Sequence, residues 1–395
     1  MGHTVLSVPK QIGGAVPMSY PALDPQRLRV FPLAQRRNLL DAAREMAQSA
    51  AADPPGDSAV DAQIESLAQR MLSARDRGAA IIFAYGAHLI KNGAGPLLNA
   101  LIDAGLVTHL ATQGAGIIHD WEFAFQGSSG ESVRENAPAG TFGSWDETGR
   151  WLNLAALVGA AEGLGLGEAV GRMIVEDRLV LPSAAQLCDE IAADPAHPLA
   201  AAKADLLWTI NAHRLPTGVL RVEHPYKNCS VPAAAYRRRV PFTVHPGIGY
   251  DIIVNHPLYH GGAIGRAATT DVRIYAASVD RLDGGVYVSI GSAIMSPQVF
   301  EKAFSAANNI RVAEGRDLLT SHYLAIVDLQ DGGGWDWSRG EPPAENPAYY
   351  LRFCKSFYRM GGTLDYIRCD NRVFLAELLR RVGIGSGEQG ARSGE

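Results

Sequence analysis

The stretch "AAIIFAYGAHLIKNGAGPLLNALIDAGLVTHLATQG", Ala79–Gly114, decides the fold. It opens on a short apolar run, Ala79–Gly86, continues through "GPLLNALIDAG" (Gly95–Gly105) and closes on a second apolar run, Val107–Gly114. Short apolar runs bounded by glycine read as buried strands, and the middle segment reads as a helix stopped by its last glycine. Strand, helix and strand in so short a span make a βαβ unit, and the right-handed crossover lays its two strands parallel and adjacent.

The same texture continues outward. "RRVPFTVHPG", "DVRIYAASV", "GVYVSIGS", "YLAIVDL" and "DYIRCD" are further strand candidates, mostly separated by helical stretches. Upstream, Pro32–Ala50 and Asp61–Gly78 place apolar residues at helical spacing. Trp151–Val175 reads as a glycine-interrupted helix, followed by helices over Ala184–Asp194 and His197–Leu215. The expected fold class is α/β: a doubly wound, mostly parallel sheet of Rossmann type with helical additions. Residues 1–58 read as an N-terminal arm and helix, 59–385 as a single domain and 386–395 as a disordered tail.

Composition removes several function classes. The chain is 47% hydrophobic and 19% charged with a net charge of −5, and its densest basic cluster is "YRRRV" (Tyr236–Val240). Without a basic arm or stripe, nucleic acid is not an expected partner. Cys188, Cys229, Cys354 and Cys369 are scattered without CxxC spacing, which fits a reducing cytoplasm. No long apolar run marks a membrane span, and the N-terminus lacks a signal-peptide pattern.

Ligands of doubly wound sheets bind beyond the carboxyl ends of the strands, so the residues closing each apolar run matter most. After the first run come Ala87, His88, Lys91, Asn92 and Gly93; after the second, Thr112, Gln113, Gly114, Ala115 and Gly116. His245, Gly247, Gly249 and Asp251 follow the third, "SIGSA" (Ser289–Ala293) ends another, and Asp370 and Asn371 end the last. Small residues at several strand ends let a flat or phosphate-bearing ligand approach the backbone. No GxGxxG turn follows a strand, and no GxxxxGK[ST] or GxSxG motif is present. "HPLYH" (His256–His260) spaces two histidines for a metal on a helix, but its proline and the lack of a third ligand favour a polar loop, and no metal is expected. "IIHDWE" (Ile117–Glu122) sets His119 beside two carboxylates. It reads either as helix capping by Asp120 or as an acid–base histidine at a strand's carboxyl end. In "NPAYYLRFCKSF" (Asn346–Phe357), Lys355 lies among Phe353, Cys354 and Phe357. Such an amine is either a snorkelling surface lysine or a desolvated nucleophile suited to imine chemistry.

The ordered set of segments resembles deoxyhypusine synthase and its homospermidine synthase relatives. "IIFAYGAHLIKNGAGPLLNALIDAGLVTHLATQGAGIIHDW" is similar to that family's first strand, turn, helix and "TT-A-GG" turn. "VPFTVHPGIGYDII" is similar to its strand entering a "DGSxGD" turn, and "VYVSIGSAIMSP" to its glycine turn "ILGGGVVKH". "NPAYYLRFCKSF" resembles "RPDEAVSWGK", and "DYIRCDNRVFLAELL" the closing strand. The resemblance implies NAD as cofactor, a homotetramer with shared sites, and Lys355 as the lysine that captures an imine. It implies that Asp251 binds a substrate amine and Asp370 the cofactor ribose. Ala87, His88, Thr112, Gln113, Gly114, Ala115, Gly291 and Ser292 would line the cofactor. The family's histidine after the glycine turn is replaced by Pro297, its paired glutamates by Ile118 and His119, and residues before its lysine by Phe353 and Tyr349. These losses are mostly of anionic groups that hold a polycation, which points to another small substrate: a shorter amine, a sugar or nucleoside, or an anion.

The expected activity is a redox-neutral transfer or exchange at an amine-bearing carbon through a lysine imine, on a small molecule and not a translation factor. The alternatives are transient oxidation of a sugar or nucleoside hydroxyl without an imine, and a non-catalytic binder of the same fold. The glycine-interrupted helix and the arm read as surfaces that need a partner copy.

Overall fold

A computed structural model describes residues 19–384. The first part of the expected arm and the 386–395 tail lie outside the described residues. Six of the apolar runs form one sheet: β1 (Ile81–Tyr85), β2 (His109–Gln113), β3 (Phe242–His245), β4 (Val286–Ile290), β5 (Tyr323–Asp328) and β6 (Thr363–Arg368). All neighbours are parallel and the order across the sheet is β6-β5-β4-β1-β2-β3. This is the doubly wound Rossmann order, with its switch point between β1 and β4.

Every residue of β1 and of β4 is buried, because helices cover both faces. The pleat divides β1 between two cores: Ile81, Phe83 and Tyr85 enter one, Ile82 and Ala84 the other.

Two expectations change. "DVRIYAASV" is not a strand but the second half of the helix Gly261–Val279. Its β-branched residues pointed to a strand, yet Ala267, Asp271, Tyr275 and Val279 are buried at intervals of one helical turn, while Val272 is exposed. Trp151–Val175 is two helices, Asp146–Glu162 and Leu166–Glu176, bent by 113° around Gly163 at φ +82°. Leu152, Leu154, Leu157, Val170 and Met173 are buried inside this same chain, so the pair is core and not a surface awaiting a partner. Among the described residues no single helix is long and apolar enough to cross a membrane.

Strand β3 forms one edge of the sheet, and that edge is plugged. Asp271 accepts hydrogen bonds from the backbone N–H of Val244 at 2.9 Å and of Gly167 at 3.1 Å. The ladder group of Val244 is thereby closed to another strand.

At the switch point the turns after β1 and β4 touch. Gly86 N–H donates to the Ile290 carbonyl at 3.0 Å, and Gly291 N–H to the Val327 carbonyl at 2.9 Å. A Cβ on Gly86 would collide with the Gly291 carbonyl oxygen. Gly86→Ala is therefore expected to cost about 1–3 kcal/mol, the range for overpacking a close contact. A urea midpoint unchanged from the parent protein would show that the two turns are free to separate.

Candidate active site

The residues expected to line a ligand divide into those the switch point presents and those it buries. Ala87 and exposed His88 begin the short helix Ala87–Lys91 directly after β1. Gly291, at φ +56°, is exposed after β4, and no atom lies within 4 Å of where its Cβ would stand. Ser292 is buried and its Oγ accepts from the Ser296 N–H at 3.2 Å. Thr112 cannot line a ligand as expected: it is fully buried and its hydroxyl donates to the Tyr85 carbonyl at 3.0 Å, stitching β2 to β1. Gln113 precedes the helix Gly114–Gln126 without capping it through its side chain.

Asp370 reaches the same region from the other half of the sheet. Asn92 Nδ2 donates to Asn371 Oδ1 at 3.0 Å, tying the segment after β1 to the start of the helix Asn371–Arg381. Asp370 caps that helix: its Oδ1 accepts from the N–H groups of Arg372 at 2.9 Å and Val373 at 3.4 Å. Arg372 Nε adds a contact to the same oxygen at 3.2 Å. Oδ2 has no hydrogen-bond partner among the described residues.

Beside the switch point, at the ends of β2 and β3, lies a cavity of about 330 Å³ whose lining includes His119, Ala115 and Asp251. The volume is at the small end for small-molecule sites and far below that of a whole dinucleotide. Arg36, Lys91 and Glu122 also line it. The helix Gly114–Gln126 supplies His119 and Glu122, which at i and i+3 share a face. The loop after β3 supplies Asp251, and the segment before the first long helix supplies Arg36.

A chain of hydrogen bonds fixes the imidazole. Arg36 clasps Glu122 with two parallel bonds, Nη1 to Oε1 at 2.8 Å and Nη2 to Oε2 at 2.7 Å, both side chains being 1% exposed. Thr148 donates to Oε1 at 2.8 Å and Ser129 to Oε2 at 2.5 Å. Ser129 Oγ lies 2.7 Å from His119 Nδ1. The serine has one proton and gives it to the carboxylate, so Nδ1–H of His119 must donate to Oγ. That tautomer leaves Nε2 as the unprotonated nitrogen of a ring that lines the cavity. Burial pushes the Glu122 carboxyl up, but the Arg36 guanidinium overrides this and holds it below the ordinary range. Burial also lowers His119 to about 4; the Glu122 charge opposes that shift, while Lys91, Arg36 and His88 add to it. His119 is therefore a neutral hydrogen-bond acceptor at pH 7.

Asp251 sits against the first turn of the His119 helix, where a Cβ on Gly114 would strike its carboxylate. Its Oδ2 accepts from the Gly247 N–H at 2.7 Å. Burial raises it to about 6, against the pull of that one bond. Asp120, by contrast, points away from the cavity. Its Oδ2 accepts from Val231 N–H at 3.0 Å and caps the helix Val231–Arg238, not its own.

Lys355 is not among the cavity's lining residues. It lies on the helix Arg352–Tyr358, which leads into β6 at the opposite edge of the sheet. Phe353, Cys354 and Phe357 turn into the second core, whereas Lys355 is half-buried on another face. Its ammonium stands 3.8 Å from the centre of the Tyr349 ring, a cation–π contact. The apolar neighbours in sequence are thus not its surroundings in space. In "HPLYH", His256 Nε2 meets Asp146 Oδ1 at 3.3 Å and His260 Nδ1 accepts from Ala263 N–H at 3.2 Å. No cluster of three metal-ligating side chains occurs among the described residues.

Sequence reading brought out His119, Asp251 and Lys91 as strand-end residues and Glu122 as one of two carboxylates beside His119, but missed Arg36 and Ser129 as partners. Glu122 carried a weak signal in its spacing from His119. Arg36 carried none, since its contact crosses 86 positions.

No family model and no curated protein sequence matches the chain. Among solved structures it is similar to ArgZ, an arginine dihydrolase from the ornithine–ammonia cycle in cyanobacteria, at 14% identity and a TM-score of 0.41. That match covers 82% of this chain and 33% of ArgZ. It is also similar to AgrE, solved as a ternary complex with ornithine and NAD+, at 14% identity and a TM-score of 0.40, over 83% of this chain and 34% of that one. The chain spans about a third of the length of either.

Arg36→Met leaves the Glu122 charge buried without its partner and is expected to cost about 3–5 kcal/mol in urea unfolding. The pair Arg36→Met with Glu122→Met should recover most of that loss. Because Glu122 is held below its unfolded value, its stabilisation is complete above the unfolded pKa and disappears as pH falls through the folded one. The wild type should therefore lose stability on acidification more steeply than the paired variant. Equal slopes would show that the ion pair does not govern acid stability.

Proposed function

We propose that the protein is an NAD-dependent enzyme that acts at the amine-bearing carbon of a small molecule. The observation that carries this reading is the His119–Ser129–Glu122–Arg36 chain, which directs an unprotonated imidazole nitrogen at a small cavity beside a Rossmann switch point. Three features support the cofactor: the exposed Gly291 turn, the close Gly86–Gly291 contact and an Asp370 oxygen without a partner, all at the carboxyl ends of strands, where this strand order binds dinucleotides. NAD would accept and return a hydride there. His119 Nε2 takes the proton released from the substrate nitrogen, and Ser129 with Glu122 holds the imidazole in orientation and stabilises its protonated form. Asp251 holds the ammonium before reaction. Leu39, Ile118, Phe142 and Ile252 supply the apolar part of the wall around the reacting carbon.

A finer reading is a transfer of the deoxyhypusine synthase type, in which Lys355 captures the oxidised carbon as an imine. The ordered motifs of the sequence support it. It requires a second copy to bring Lys355 to the cavity, and Ile248, Tyr250, Ile294 and Leu329 stand exposed on the loops at the carboxyl ends of β3, β4 and β5. A homo-oligomer burying this rim is part of that reading, and a monomer by light scattering would remove it.

Isothermal titration should show NAD binding to the wild type, weakened by about 1–3 kcal/mol in Asp370→Ala. Absence of binding would end the cofactor assignment. His119→Gln should lower kcat by about 10²–10⁴ with NAD binding intact.

The acid limb of kcat/KM should fall near pH 6, where Asp251 gains a proton and ceases to hold the amine. In Asp251→Asn that limb should vanish while KM stays high at all pH; a limb unchanged in position would assign it to another group.

Lys355→Arg retains the stacked cation but cannot form an imine. Full turnover in that variant would assign Lys355 to its Tyr349 contact; loss of turnover with intact folding and NAD binding would support the transfer reading.

A further inference from the structure

The charges lining the cavity do not balance among themselves, and the imbalance describes a ligand. Arg36 and Glu122 neutralise each other through two short bonds. Glu131 has both oxygens engaged, Oε1 by the Gly143 N–H at 3.0 Å and Oε2 by Asn136 Nδ2 at 2.6 Å. His119 is neutral, for the reasons given above. Glu131 keeps its charge, but each of its oxygens already has a donor, which leaves two charged groups with atoms open to a ligand. Lys91 is half-buried on the cavity wall and forms no ion pair or hydrogen bond through its ammonium among the described residues. Asp251 is buried, meets a single backbone N–H and likewise has no cationic partner.

A lysine and a carboxylate that share one small cavity without pairing are each partly desolvated and unmatched. A ligand with only an amine answers Asp251 and leaves Lys91 facing a second positive charge. A ligand with only a carboxylate has the mirrored defect at Asp251. We propose that the cavity selects a zwitterion, a small aliphatic amino acid whose ammonium rests on Asp251 and whose carboxylate rests on Lys91. Leu40, Ile118, Val133 and Phe142 provide the apolar wall for its carbon chain. His119 Nε2 is then the acceptor for a second N–H of the same ammonium. This proposal rests on reading the cavity as the substrate site of the enzyme proposed above, and it makes Lys91 the residue that sets specificity.

The test uses three probes of matched skeleton: L-norvaline, butylamine, which lacks its carboxylate, and pentanoate, which lacks its amine. Each is titrated calorimetrically into the full chain without NAD, and a chain-length series of L-amino acids from alanine to norleucine accompanies them. Norvaline or its best homologue should bind at least about tenfold more tightly than either single-charge probe, the scale of one charge-assisted contact. Lys91→Met should reduce its affinity to that of the amine, and Lys91→Arg should retain the preference. Asp251→Asn should reduce it to that of the carboxylate. Thermal midpoints of the variants near the wild-type value separate these losses from misfolding, and Lys91→Gln serves as a second neutral variant. The proposal is overturned if butylamine binds as tightly as norvaline, if both neutral Lys91 variants keep the preference, or if no amino acid of the series binds. Zwitterion binding in a protein that fails to bind NAD would sink the enzyme reading and leave this one standing.

Discussion

The clasp between Arg36 and Glu122 is the interaction on which the rest of the site depends. Two charges are taken wholly out of water there, at a cost of several kcal/mol per ion that only good geometry offsets. The geometry is good: two parallel bonds from the guanidinium, with Thr148 and Ser129 satisfying the remaining carboxylate lone pairs. Four separate parts of the chain are thereby held at one point: the early segment, the His119 helix, the Ser128–Ser129 strand pair and the helix Asp146–Glu162. The early segment is also tied by a backbone bridge between Phe31 and Trp145, by Leu33 N–H donating to Glu147 at 2.6 Å, and by a short pairing of Leu40–Asp41 with Ser128–Ser129. Leu39 and Leu40, in the cavity wall, follow Arg36 in this segment and add their own ties, Leu39 N–H to the Gly130 carbonyl at 3.0 Å and Leu40 paired with Ser129.

The remaining buried carboxylates follow another rule. Asp120, Asp251 and Asp271 have no cationic partner and rest on backbone N–H groups. Burial outweighs those bonds, raising Asp120 and Asp271 to about 7 and Asp251 to about 6. Two of the three serve architecture, one capping a helix and one closing the sheet edge. Asp251 differs in facing a cavity, so its undischarged electrostatic demand is available to a ligand. The distinction between structural and functional carboxylates here is one of access, since their local chemistry is alike.

What was legible in the sequence follows from the range of the interactions involved. Strands buried on both faces are continuous apolar runs, and β1, β2, β3, β4 and β5 could be read directly; the edge strand β6, half exposed, was legible only through "DYIRCD". The helix end "DVRIYAASV" suggested a strand through its β-branched Val272, Ile274 and Val279, although its buried Asp271, Tyr275 and Val279 repeat at one helical turn. Strand-end positions marked His119 and Asp251, because in this architecture the carboxyl edge is set by topology alone. Lys355 shows the limit. Its aromatic neighbours in sequence occupy one face of a short helix and the lysine another, so adjacency in the chain implied an environment that the helix periodicity removed.

Arg36 and Ser129 mark the deeper limit, and they bear on why the histidine is set as it is. Neither residue type signals catalysis by itself, and neither lies near His119 in any local pattern. Yet together they decide which nitrogen of that ring carries the proton. A serine between a carboxylate and an imidazole passes on orientation without full charge contact: the carboxylate orders the hydroxyl, and the hydroxyl orders the ring. Direct contact with Glu122 would favour the imidazolium at neutral pH and close Nε2 as an acceptor. With the serine interposed, burial keeps the ring neutral against the Glu122 charge, and Lys91 and Arg36 oppose any added positive charge. Removal of the Lys91 charge by a bound carboxylate would relieve one of the terms that hold His119 down. A zwitterionic ligand would therefore act on the ring in two opposed ways: its carboxylate would cancel the Lys91 charge, while its ammonium, donating to Nε2, would hold the ring neutral until a proton passes to it.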